Sequence, residues 1–238
     1  MRVQRALNYA VDRNHLIELA RGGAGTAEVG CQMLPPNTEG YRRYCPCTIH
    51  PSSAGTYTGP DLEKAPPRCS VRDERAAGHV WFLDIPIGHR NGDYFVSVLR
   101  SLGYRAHLTT VQGLTWRPNW QAGVGSWGAD FPAASSLLVP LFTCASYTGD
   151  PSTTVNWERV LQPPDRRPDR ACRRARDRGP VGRVAALDAD RHEITDLAPW
   201  VVIRTEVATD FVSRRTGNYT SCWLSYWNSS TAACLDQL

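Results

Sequence analysis

The order strand, helix, strand over residues 80–111 constrains this chain more than any other feature. Val80-Trp-Phe-Leu-Asp84 is apolar and rich in residues that suit a pleated, half-buried surface. Gly92–Leu102 places apolar side chains at 95, 96, 98, 99 and 102, the spacing of one helix face. After Gly103, Tyr104–Val111 reads as a second strand. A helix between two strands carries the chain back to the same end of the sheet, so the pair is expected to be parallel and the fold class α/β. In such a unit the ligand-facing edge lies at the carboxyl ends of the strands. At 238 residues the chain is long enough for one large domain or two small ones, with a sizeable core.

Upstream, Val3–Ala20 carries apolar residues at 3, 6, 7, 10, 11, 16, 17 and 20. This is one apolar helix face, and it needs a partner elsewhere in the chain. Asp12 and Asn14 are expected to break it in two, with Asn14 as a second cap. Gly22-Gly23 ends it. Cys31–His50 is loop-like, with Pro35, Pro36, Gly40 and Pro46. Its Cys45-Pro-Cys47 pair matches no standard zinc spacing, so a disulfide from Cys31 to Cys45 or Cys47 is favoured over a metal cluster. Asp61–Lys64 starts a helix that fails at Pro66-Pro67. Further on, Leu187–Leu197 suits a helix, Trp200–Arg204 a buried strand and Asp210–Ser213 a short strand. Cys222 and Cys234 are expected to pair.

The stretch Ser126–Phe142 is the best candidate for a binding site. It sets one carboxylate, Asp130, between Trp127 and Phe131, and an apolar run follows Pro132. A lone acid between rings at a strand end makes a polar anchor in an aromatic pocket. The competing use of Asp130 is a turn or helix cap. For Trp116 and Trp127 the default use is core packing.

Composition narrows the function classes. Net charge is +4, and Lys64 is the single lysine among 27 basic residues. The arginine excess concentrates in 159–191, which argues for GC-rich coding and against a nucleic-acid partner. Eight Cys fit an exported protein with disulfides, although Met1-Arg-Val-Gln-Arg5 opens without an apolar leader. No apolar run approaches the roughly 20 residues of a membrane span. The six His form no recognisable motif and are read as surface or loop residues. Asp84, His89 and Asp93 could form an acid–base group. No nucleophile motif accompanies them, so the chain is not expected to be an enzyme.

Five stretches occur in a telling order: Arg5-Ala-Leu-Asn-Tyr-Ala-Val-Asp-Arg13; Met33-Leu-Pro-Pro36 with Gly40-Tyr41; Trp127–Pro132; Asp196-Leu-Ala-Pro-Trp200; and Phe211-Val-Ser-Arg214 with Gly217-Asn-Tyr219. Together they resemble the C-terminal half of family 5 extracellular solute-binding proteins, the oligopeptide, dipeptide and nickel receptors of ABC importers. The resemblance implies the C-terminal lobe of a two-lobe, type II periplasmic-binding-protein-like fold. Residues 1–205 would form that lobe and 206–238 a segment returning toward a first lobe. It implies an extracytoplasmic chain that captures peptides or related solutes and hands them to importer permease subunits. No cofactor and no nucleic acid are implied, and the membrane is met only through the importer or a missing lipid anchor. In peptide-binding members the Asp of Trp-x-x-Asp-[Tyr/Phe] pairs with the ligand's free α-amino group, and Asp130 stands there. A desolvated ammonium needs such a charged partner. Trp127, Phe131 and Trp116 would line the pocket.

Two segments depart from the family, at about 65–79 and 158–192, and irregular structure is expected in both. GC-rich codons for Val160–Arg170, read one base later, can spell Phe-Cys-Asn-Arg-Gln-Ile-Asp-Ala-Arg-Ile, the family's own motif. The expectation is a frameshift pair restored before Glu193, with a helix lost. A first lobe, a signal peptide and a lipid-anchoring Cys are expected in a missing N-terminal part. The alternatives are a Cys-rich metal-binding or redox protein built on Cys45-Pro-Cys47, and a non-functional product of a frameshifted gene.

Overall fold

The computed structural model describes residues 2–20, 27–36, 38, 40–65, 77–113, 122–131, 133–142, 146, 155, 194–196, 198–207 and 211–217. Its centre is a parallel sheet. β2 (Ala77–Leu83) pairs in register with β3 (Arg105–Val111), and β4 (Ala122–Gly123) joins the other side of β2, giving the order β3-β2-β4. The expected βαβ unit is therefore present, with α3 (Pro86–Ser101) as its crossover. β2 starts at Ala77, so the tail of the segment expected to be irregular at 65–79 is regular strand.

α3 begins six residues before the expected Gly92. Pro86 occupies the first turn, where its missing N–H costs nothing. Gly88 and Gly92 lower helix propensity, yet both permit close packing. A Cβ on Gly88 would stand 2.0 Å from the Leu83 carbonyl oxygen, and one on Gly92 2.4 Å from a Leu108 methyl. Tertiary contact outweighs propensity here. Val80, Phe82 and Ala106 of the sheet are buried with Val96, Val98, Leu99 and Leu102 of the α3 region.

The N-terminal apolar face is split as expected, into α1 (Arg2–Ala10) and α2 (Arg13–Leu19). The cap is Asp12 instead of Asn14: its side chain accepts the His15 N–H at 3.2 Å. Ala6, Leu7, Ala10, Val11 and Leu16 complete the core around α3. That is the partner this face required.

Trp200–Arg204 is not the expected strand. The Trp200 carbonyl accepts from the Asn8 amide at 3.0 Å and the Val202 carbonyl from Arg13 Nε at 2.9 Å. With these acceptors committed to side chains, the ladder forms later. β5 (Arg204–Glu206) pairs antiparallel with β1 (Ala27–Val29). Residues 211–213 form no strand, and Phe211 is almost fully exposed. Of the helix expected over Leu187–Leu197, the described residues 194–196 are helical. Cys222, Cys234, Trp116 and all of 158–192 lie outside the described residues.

Candidate functional site

The apolar run after Asp130 is a helix, α4 (Ala134–Phe142), with Pro140 inside it. Proline has no N–H to give the carbonyl four residues back, so Ser136 O loses its helical donor. The Trp127 indole Nε1–H supplies one at 3.3 Å. The Ser136 hydroxyl oxygen meanwhile accepts the backbone N–H groups of Asp130 at 2.6 Å and Phe131 at 3.3 Å. One buried serine thus holds the 127–131 loop through both its oxygens. Sequence reasoning missed Ser136, although a polar residue four positions before a proline in an apolar run was the available signal.

The loop leaves the Asp130 carboxylate exposed, with no hydrogen bond or ion pair to any described residue. Among the described residues it caps no helix. Phe131 is 48% exposed beside it, while Trp127 is half-buried. Trp127 packs on a second core of Leu34, Leu137, Leu138, Leu141, Phe142 and Ile194, with Met33, Tyr41 and Trp200 at its margin. Asp130, Trp127 and Phe131 are therefore adjacent on one loop, and Trp116 lies outside the described residues.

The widely spaced motifs meet around this second core and the helix pair. Arg5 donates twice to the Asp196 carbonyl, at 2.8 and 3.2 Å, and the Tyr44 hydroxyl donates to Asp196 Oδ1 at 2.5 Å. Burial, then that carboxylate, push the Tyr44 hydroxyl pKa upward. Arg13 is buried, donates to the carbonyls of Val202, Asn8 and Cys47, and lies 5.1 Å from the Tyr57 ring centroid.

Cys31 is bonded to Cys45, which settles the pairing left open in sequence and withdraws Cys45 from any metal cluster. Cys47 is a free thiol whose pKa is pushed up chiefly by burial. Among the described residues no three His, Cys, Asp or Glu converge as a metal cluster, and no helix is long and apolar enough to cross a membrane. At the carboxyl ends of β2 and β3, His89 Nε2 lies 2.7 Å from Asp84 Oδ1, and Gln112 Nε2 donates to Asp84 Oδ2 at 2.9 Å. All three are exposed. Asp93 is exposed as well.

No protein-family model and no curated protein matches the chain. Solved structures do. The clavulanic acid biosynthesis oligopeptide binding protein 2 is 18% identical with a TM-score of 0.59, covering 86% of this chain and 38% of that one. A dipeptide binding protein from Pseudoalteromonas sp. SM9913, solved with Met-Leu, gives 0.58 at 16% identity, covering 86% and 39%. The oligopeptide-binding protein AppA from Bacillus subtilis, solved with a nonapeptide, gives 0.55 at 13%, covering 86% and 41%. The fold is that of part of a family 5 solute-binding protein. The chain spans about two fifths of the length of these two-lobe, type II proteins. At these identities the likeness establishes fold, and the ligand is a matter for the site.

Proposed function

We propose that this chain is the second lobe of a substrate-binding component of an ABC importer, with residues 1–205 as the lobe and 206–238 returning toward a first lobe. The component captures peptides or related solutes outside the cytoplasm and delivers them to permease subunits. It performs no chemistry; ligand capture and lobe closure are the whole task. The observation that carries this reading is the Ser136-pinned loop: its backbone is fixed while its one carboxylate is exposed and unpaired among the described residues. A ligand's α-ammonium would complete Asp130 with a charge-assisted hydrogen bond. Trp127 and Phe131, with Trp116, would supply apolar walls. The peptide complexes of the similar proteins support the class of ligand.

A clamp meets its ligand from both sides. One lobe alone is expected to bind in the millimolar range, about −4 kcal/mol. Titrating Met-Leu into the chain, followed by amide NMR shifts, should perturb residues 127–131 saturably. Asp130→Asn should weaken that response at least about tenfold. Equal responses of the two proteins would contradict the assignment.

A further inference from the structure

We infer that His79 and His107, brought side by side across β2 and β3, form a two-histidine site for a divalent transition-metal ion of the zinc, copper or nickel class. The argument starts from register. In a parallel pair, partners point to the same face, and adjacent strands lie about 4.8 Å apart. His79 and His107 are direct partners, and their ring centroids stand 6.0 Å apart with planes tilted by 43°.

Alternation fixes which face they occupy. Val80, Phe82 and Ala106 are buried toward α3, so residues 79 and 107 lie on the opposite face, and both are exposed. Two imidazoles bound to one ion hold it at about 2.0–2.1 Å each, so rings whose centroids stand 6.0 Å apart are within reach of one ion. Imidazole nitrogen suits zinc, copper and nickel, and does not suit magnesium or calcium. No third His, Cys, Asp or Glu joins them among the described residues. Among the described residues these two imidazoles are the ligands the protein supplies, and water or a small ligand would complete the coordination. Arg105 lies two residues before His107 on the same face, and its positive charge opposes a cation and limits affinity. Sequence spacing conceals this pair: the two residues are 28 positions apart, and only the parallel register makes them neighbours. The inference does not depend on the importer reading, because it uses neither Asp130 nor its loop.

The test is a zinc chloride titration of the full chain, read by calorimetry and by melting temperature, with His79→Gln, His107→Gln and, as a control, His89→Gln. A ligand that binds only the folded state raises the melting temperature by mass action. The expected result is one zinc per chain and a melting-temperature rise that survives in His89→Gln and is lost in each of the other two. No rise in the parent chain, or a rise retained in either His79→Gln or His107→Gln, overturns the site. Should a substitution lower the metal-free melting temperature, imidazole NMR of the parent chain decides. Zinc-induced shifts at both His79 and His107 support the site, and shifts confined to other histidines overturn it.

Discussion

Arg13 carries its charge into the interior, 1% exposed, and its partners are neutral acceptors. Burial pulls its pKa down, and the Tyr57 ring and carbonyl oxygens offset that cost. Its guanidinium spans the end of α1, the Cys47 loop and the 201–203 segment, a task that needs a fork of donors. Arg13→Ala strands the carbonyls of Val202, Cys47 and Asn8 and is expected to cost about 3 kcal/mol or more in urea unfolding. Arg13→Lys is expected to rescue little of it, because a point charge cannot reach three acceptors at once. A loss below 1 kcal/mol would remove Arg13 from its role as the tie. Nothing in composition or periodicity marks this arginine. The resemblance placed it in a motif, and only the packed structure gives it a job. Asp130 is the converse case: the sequence marked it for its setting between rings, and the structure supplies Ser136, the group that fixes its backbone.

At the scale of elements, the pattern was read best where a tight hydrophobic period meets a clear stop. β2, β3 and the body of α3 follow from alternation, the 3.6 period and Gly103. The start of α3 was hidden because Gly88 and Gly92 look like breakers when they are packing devices. β4 was hidden because two residues carry no period. The 200–203 stretch was misread because the Trp200 and Val202 carbonyls serve Asn8 and Arg13, and a backbone partner is met only at Ile203, whose carbonyl accepts from Gly30 N–H. The two glycines differ in a testable way. Gly88→Ala drives a methyl group into a backbone oxygen that cannot move without shifting β2, so it should destabilise by about 2 kcal/mol or more. Gly92→Ala meets the tip of the Leu108 side chain, which can rotate, and the gain in helix propensity offsets part of the strain. It should cost less than half as much by thermal unfolding. Equal costs would mean that α3 sits less closely on the sheet than described.

At the scale of the whole molecule, motifs far apart in sequence come together: Arg5 with Asp196, Asn8 with Trp200, and Met33, Tyr41 and Trp127 against one shared core. That convergence explains why their order, more than any single one, pointed to the fold shared with solved solute-binding proteins. Residues 158–192 were unreadable as structure because four prolines and ten nearby arginines supply neither an apolar face nor a donor ladder. The frameshift reading of that segment remains a proposal for the coding DNA to decide. The central claim, that Asp130 receives a ligand ammonium, is tested most directly by a double-mutant cycle. The affinities of Met-Leu and N-acetyl-Met-Leu would be measured by NMR titration for the parent chain and for Asp130→Asn. The account predicts that acetylation weakens binding to the parent at least about tenfold, 1.4 kcal/mol, and leaves binding to Asp130→Asn unchanged. An acetylation penalty of the same size in both proteins would place the amine elsewhere and contradict the claim.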